Sequence, residues 1–472
     1  MSPPPSTKNR WALFLVVAVS VFLATMDSSM INVALPSIMR SFDTSLPKAE
    51  WVILIYLLTI TASLLLWGRI ADLLGLKYIF LFGMIVFSIG SIACFLSPTL
   101  THLILFRFVQ AIGASMMMAT GPAIIRIAFP SGQLGMALGL LGIAISTGLM
   151  LGPVLSGILI HSYSWRAIFI VTVPVSLGSC VAGWFLLRSF PTARGSTAQG
   201  AVFDWMGMIY WTGMISMAVL LSTHHAGVSA NLLLLEGGAC IVFLFLLIRT
   251  EKTHPEPLFP VTLLQNRSYL IAIFCATLSF MVLFAVLILM PFYLDYVLTL
   301  SSKEIGFVMM AVPMFVLIVS PISGFLYNHT GARLLTTSGL TIAACGLLLL
   351  CFLTTKSSAF DVAWRLAVLG CGQALFLSPN STTVLESVPR EQTGVSSGML
   401  ATARNLGMLA GVSMAGMLFG LIFSQLSGGL DLKNYSPEQA HNFMFALQTT
   451  FAVTAVLSII GAVLSSLRPG KT

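Results

Sequence analysis

"GRIADLLGLK" (Gly68–Lys77) and "GFLYNHTGAR" (Gly324–Arg333) stand 256 residues apart and share one frame: Gly, any, Ile or Leu, any, Asp or Asn, any two, Gly, any, Lys or Arg. Further along, Gly113, Pro130, Gly135, Gly139, Gly148 and Gly152 recur 259 residues later as Gly372, Pro389, Gly394, Gly398, Gly407 and Gly411. So many matches in one register mark a duplicated unit. What lies between the repeated marks is apolar, which makes the unit a set of membrane-crossing segments, the kind of internal repeat from which many transporters are built.

Composition agrees. Hydrophobic residues make up 57% and charged residues 8%, with a mean hydropathy of +0.97, against roughly 25% charged residues in soluble domains. Fourteen apolar segments are long enough to cross a hydrocarbon core of roughly 30 Å as helices. They fall at 11–36, 48–67, 78–97, 101–125, 134–160, 167–187, 204–222, 231–249, 269–295, 304–326, 333–354, 362–386, 394–425 and 443–466. The duplicated unit covers six of them, so two copies account for twelve. The remaining pair, 204–222 and 231–249, is flanked by "RSFPTARGSTAQGAVFD" and "RTEKTHPEPLFP", polar linkers rich in breakers and charge. The expected organisation is a six-helix half over 1–190, a linker with two extra helices over 191–267, and a second six-helix half over 268–472. The first segment, preceded by Lys8 and Arg10 and without a small-residue cleavage site after a short apolar core, reads as a retained helix.

Lys and Arg set the orientation. With the N-terminus in the cytoplasm, the inner segments hold fourteen basic residues and the outer ones six. Both termini are therefore expected inside, in the cytoplasmic membrane. The net charge of +8 then faces anionic inner-leaflet lipid, and no nucleic-acid partner is needed to explain it. The seven cysteines lie within apolar spans at no metal-like spacing, so no disulfide, metal or cofactor is expected.

"VFLATMDSSMINVALP" (Val21–Pro36) places one acid, Asp27, inside an apolar run. It lies about 16 residues into its span, roughly 24 Å from the cytoplasmic end. An ionised carboxylate at that depth is costly unless paired, so such residues face cavities, bind or relay protons, or bond to a neighbouring helix. The other carboxylates, Glu50 among them, are placed in loops or at segment ends, with Glu236 about a turn into the extra pair. On this reading Asp27 is the only deep acid of the twelve-helix core. The corresponding second-half stretch, "FMVLFAVLILMP" (Phe280–Pro291), has none.

Three more stretches carry chemistry or packing. "LILFRFVQAIGAS" (Leu103–Ser115) holds Arg107 and Gln110; Arg107 is close enough to the outer surface to be a snorkelling anchor. "GLLGIAISTGLMLGPVLSG" (Gly139–Gly157) spaces small residues so that two helices approach closely, with Pro153 bending the span. "LATARNLGMLAG" (Leu400–Gly411) holds Arg404, the deepest base, as a counter-charge to Asp27, a gate residue or a partner for backbone carbonyls at a helix break. Met26, Met30, Phe292 and Tyr293 are candidates to line an adaptable apolar cavity, with Gln110, Gln373, Asn380 and Asn405 as polar contacts near mid-depth.

Taken together, these stretches resemble a fourteen-helix drug:proton antiporter of the major facilitator superfamily, over nearly the whole chain. The resemblance implies an all-α membrane protein with two six-helix halves and two inserted helices. It implies that Gly68, Arg69, Asp72, Gly75 and Lys77 form a latch between helices two and three, with Asp72 accepting hydrogen bonds from a helix N-terminus of the other half. Here Leu73 and Leu76 replace basic residues usual in the family, and Asn328 replaces the acid in the second copy. It implies that Arg107 faces the central cavity and tunes the protonation of a nearby acid, Asp27. Gly139, Gly148, Gly152, Pro153, Ser156 and Gly157 follow the antiporter signature of helix five, found in exporters, with Ser156 in place of its penultimate Gly; in the second half Val412 falls where Pro153 would.

The function so implied is export of lipophilic small molecules or drugs, driven by protons through alternating access. The alternative is a dedicated exporter of one endogenous metabolite, siderophore or lipid-like compound. An enzyme would need a nucleophile, metal set or acid pair near an interface, and none is present in the sequence. The partners implied are a small-molecule substrate, protons and membrane lipids, with a periplasmic adaptor left open.

Overall fold

In lipid a backbone must satisfy its own hydrogen bonds, so each long apolar run becomes a helix. The computed structural model describes residues 7–189, 204–223, 230–254, 265–388 and 393–468. The first half contains α1 (Thr7–Ser41), α2 (Leu46–Leu74), α3 (Leu76–Phe95), α4 (Leu100–Ala128), α5 (Ser131–Ser162) and α6 (Ala167–Leu186). Two extra helices follow, α7 (Trp205–Thr223) and α8 (Ala230–Thr253). The second half contains α9 (Arg267–Val297, ending in a π turn), α10 (Ser302–Tyr327), α11 (His329–Leu350), α12 (Ala359–Glu386), α13 (Thr393–Leu426) and α14 (Ala440–Ser466). Thirteen of these are long and apolar enough to cross a membrane; the apolar stretch of α7 is shorter.

The duplication seen in the sequence is a duplication of packing. Gly113 lets α4 lie on α3, where a Cβ would come within 2.3 Å of the Phe87 nitrogen and 2.6 Å of the Gly83 oxygen. Its counterpart Gly372 lets α12 lie on α11, with 2.4 Å to the Ala343 nitrogen and 2.6 Å to the Gly339 oxygen. Gly75 and Gly331, the second glycines of the two opening motifs, both turn the chain with positive φ, +102° and +77°. An L side chain is strained there, which is why that position of the frame is glycine.

The face with the α1–α2 turn, assigned to the outside by the charge bias, is called outer below. One apolar core runs through both halves and includes the outer ends of α1 and α9, Met39 and Leu294. Arg40 of α1 pairs with Asp295 of α9 across the halves, and α5 meets α10 at Gly157 and Gly306. Towards the inner face each half also keeps clusters of its own: Ala71, Ile79 and Met116 in the first, Tyr269, Ala272, Ala276, Val384, Met399 and Leu400 in the second. The outer side is thus closed. The extra pair sits beside the α2–α13 seam: α7 packs on both helices, its Trp211 Nε1 donating to the Thr61 carbonyl at 3.4 Å, while α8 packs on α7.

Candidate functional site

Asp27 and Arg107 meet inside the first half. The Arg107 Nη1 donates to Asp27 Oδ2, and the pair is 0% and 2% exposed for Arg107 and Asp27 respectively. Arg107 and Gln110 are three residues apart on α4 and share a face. Gln110 closes the cluster, its Oε1 accepting from Arg107 Nη1 at 2.7 Å and its Nε2 donating to Asp27 Oδ1 at 3.0 Å and to Ser91 Oγ of α3 at 2.8 Å. Arg107 Nε donates to the Val52 carbonyl of α2 at 3.2 Å. The guanidinium lies over the Tyr56 ring, 4.0 Å from its centroid, while Tyr56 Oη donates to the Ala24 carbonyl at 3.1 Å. Four helices therefore converge on one ion pair. Arg107 Nη2 has no hydrogen-bond partner among the described residues, which leaves one donor of the cluster unspent.

A buried pair of this kind gives little net stability, but removing one partner strands the other charge at a cost of about 3–5 kcal/mol. Arg107 is accordingly neither a surface anchor nor a cavity-facing residue in this conformation; it is the counter-charge of Asp27. Arg404, the other base considered for that place, instead donates from Nη2 to Ser381 Oγ at 2.6 Å and lies 5.6 Å from the Phe280 ring centroid.

The helix-five motif works on two faces. Gly148 and Gly152 seat α5 on α1, where Ser29 Oγ donates to the Gly148 carbonyl at 3.3 Å and Ser156 Oγ to the Met30 carbonyl at 2.8 Å. Pro153 and Gly157 point the other way, to α10: a Cβ on Gly306 would lie 2.5 Å from the Pro153 oxygen. One stretch thus holds the helix that carries Asp27 and closes the outer seam. The surroundings of Gly139 and the side chain of Asp72 lie outside the described residues. Of the rest of the latch motif, Gly68 and Arg69 are half-buried near the inner end of α2, and Lys77 stands 5.7 Å from the Trp184 and Tyr78 rings.

The cavity candidates do not come together in one open pocket here. Met26, Met30, Phe292 and Tyr293 are buried in the core. Tyr293 Oη donates to the Thr354 carbonyl at 2.6 Å. Gln373 is locked to Ser279, accepting from its hydroxyl at 2.6 Å and donating to its carbonyl at 3.0 Å. Asn380 donates to the Ala272 carbonyl and accepts from Arg468. Asn405 is buried, and its Nδ2 has no hydrogen-bond partner among the described residues. Only Arg404 among these residues keeps partial exposure.

Sequence reasoning overlooked Tyr56 and Ser91, for which no local pattern exists, and it did not foresee the burial of Glu50. That residue stands near the end of its segment, as expected, one turn inside α2, but it is 1% exposed. Asp27 is therefore not the only buried acid of the core.

The chain belongs to the Major Facilitator Superfamily, whose family model matches residues 17–412. It is similar to the riboflavin transporter RibZ of Clostridioides difficile, with 31% identity covering 84% of this chain and 86% of that one. It is also similar to the multidrug resistance protein Stp of Mycobacterium tuberculosis, with 30% identity covering 84% and 74%. Among solved structures, a bacterial homologue of the human lysosomal transporter Spinster, in an inward-facing and unoccupied conformation, superposes with a TM-score of 0.70 at 16% identity, covering 98% of each chain. The protein is a multi-pass membrane transporter of that superfamily.

Proposed function

We propose that the protein is a proton-coupled antiporter that exports lipophilic small molecules or drugs across the cytoplasmic membrane, both termini inside. The buried Asp27–Arg107–Gln110 cluster carries this reading. When Asp27 takes up a proton, its charge vanishes and Arg107 loses its partner; when the proton leaves, the pair re-forms. Gln110 can bond to the acid in either state, so the site can change charge without losing its hydrogen-bonded frame. With the outer face closed and Asp27 paired with Arg107, the conformation fits a stage at which the proton has been released inwards. The two-sided helix-five motif ties that acid to the outer seam, because α5 touches α1 with one face and α10 with the other. Export as the direction is supported by the resemblance of Gly139–Gly157 to antiporters and by relatives named as a multidrug resistance protein and a tetracenomycin C resistance and export protein. The relative named a riboflavin transporter favours the second reading, a carrier dedicated to one metabolite.

Proteoliposomes with an imposed pH gradient and a panel of lipophilic dyes test the proposal. The wild type should move dye against its gradient when protons flow the other way. Asp27→Asn paired with Arg107→Gln keeps hydrogen-bonding capacity and strands no charge, so it should reach the membrane yet lose gradient-driven movement. Undiminished coupled transport by that double variant would refute Asp27 as the coupling site.

A further inference from the structure

Glu50 of α2 and Gly416 of α13 meet on the seam between the halves. A Cβ on Gly416 would lie 1.9 Å from Glu50 Oε1 and 2.2 Å from Oε2, so the carboxyl is seated against a bare Cα of the other half. Its Oε1 has no hydrogen-bond partner among the described residues. The duplication shows what this place holds on the opposite side: 256 residues after Glu50 comes Gly306, and 259 residues before Gly416 comes Gly157. Those two glycines are themselves in contact, a Cβ on Gly157 falling 3.2 Å from the Gly306 Cα. One seam is closed glycine on glycine, and its twin is closed with a carboxyl between the helices.

An ionised carboxylate needs water, donors or a counter-charge, and burial without them disfavours it far more than the neutral acid. The helices packed against α2 are α1, α3, α4, α7 and α13. On α1, Asp27 is held by Arg107 and Arg40 by Asp295, while Lys8 and Arg10 are at the far, inner end. On α4, Arg107 is engaged as described, His102 is exposed and Arg126 lies in the last turn at the inner end. The one charged residue of α3, Lys77, is at its inner end, α7 has none, and Arg404 of α13 bonds to Ser381. Among the described residues none of these charged groups pairs with the Glu50 carboxyl, and Lys48 of α2 itself is exposed.

We infer that Glu50 is a second proton-binding site, which holds its proton while the outer seam is closed and yields it to outside water when α2 and α13 part. The step is an acid dissociation and nothing more: the O–H bond breaks, the proton passes to water and the carboxylate stays hydrated in the opened seam. Closing the outer side therefore requires that a proton be taken up there. Val52 lies two residues on, roughly 200° around the helix, and holds Arg107 from the other side of α2. The same helix thus bears on both acids. The inference rests on the alternating-access reading, but not on Asp27 as the coupling site.

Spin labels at Lys48→Cys and Gln425→Cys, both exposed near the outer ends of α2 and α13, placed in a background lacking the native cysteines, report the seam by distance as pH is raised. The wild type should shift from a single short distance at low pH to a growing longer one at high pH. Glu50→Gln, which mimics the protonated acid, should keep the short distance throughout. Infrared difference spectra of the unlabelled protein in vesicles supply a readout that needs no variant: a carboxylic C=O band should fade over the same pH range. A seam distance in the wild type that ignores pH, or a Glu50→Gln seam that opens with pH as the wild type does, would overturn the inference. Neither measurement uses substrate or a gradient, so failure of proton-driven transport leaves the result standing, and the converse holds too.

Discussion

In the first half α1, α3 and α4 converge on Asp27, Ser91, Arg107 and Gln110. The same places in the second half, read through the duplication, are Val282, Leu347, Leu366 and Leu369, each at most 1% exposed. The backbones agree closely, for Gly90 packs against Gln110 as Gly346 packs against Leu369, with 2.6 Å and 2.9 Å from a Cβ to the facing nitrogen. One scaffold therefore carries a charged, hydrogen-bonded centre in one half and a wholly apolar one in the other. What helix packing demands was kept in both copies, and what a changing charge demands is present in one only. The two halves share a shape but not a task, and the proposed proton chemistry belongs to the first.

The sharpest way to break this comparison is to unpair the centre. Asp27→Asn alone should lose gradient-driven transport and also fall in stability by about 3–5 kcal/mol, because it leaves Arg107 buried without a counter-charge. Thermal unfolding in detergent should show the loss, and Asp27→Val with Arg107→Leu, which copies the second half, should recover most of the stability without the transport. A single variant as stable as the wild type would mean that the pair is not a unit.

Gly152 and Gly411 sharpen the comparison further. On sequence the second copy, lacking the proline, should tolerate change better. The structure reverses that order: a Cβ on Gly411 meets the Met281 backbone oxygen at 2.3 Å, whereas on Gly152 the first obstacle is the Ser29 hydroxyl, which can turn aside at the cost of its bonds to the Met26 and Gly148 carbonyls, and the backbone oxygen of Met26 stands at 2.9 Å. Gly411→Ala should be the more destabilising, within the roughly 1–3 kcal/mol of an overpacked core. Gly113→Ala and Gly372→Ala, by contrast, should match each other within about 0.5 kcal/mol, since their surroundings are nearly the same. A large difference between them would show that the halves are packed less alike than the backbone indicates.

The smallest effect is expected at the outer rim. Arg40 is 51% exposed, so Arg40→Ala should change stability by at most about 1 kcal/mol, and added salt should blunt even that. A loss well beyond this would make the rim pair, and not the buried seams, the main closure of the outer side.

The helices, the duplication and Asp27 could be read from the chain because each is a local or periodic signal: apolar length, a fixed offset, an acid where none should be. The same holds for the α5 motif, whose glycines are spaced for contact before any partner is known. Glu50 could not be read in this way. It stands only five residues from the start of α2, and its burial is decided by Gly416, 366 residues further on in the other half. The choice between Arg107 and Arg404 as partner of Asp27 was open for a similar reason, since depth along a helix says nothing of which neighbour it faces. Tyr56, beneath the Arg107 guanidinium, is one aromatic among many until α2 is laid on α4.

The placement of the extra pair has a consequence for the two flanks of the protein. Since α7 leans on both α2 and α13 and is tied to the former through Trp211, lipid tails meet an added wall along that flank, with α8 outside it. Among the described residues no such helix covers the opposite flank, where α5 and α10 touch through Gly157 and Gly306. Among the described residues the two flanks are thus unequal: one seam is screened by a further helix, and the glycine seam is not.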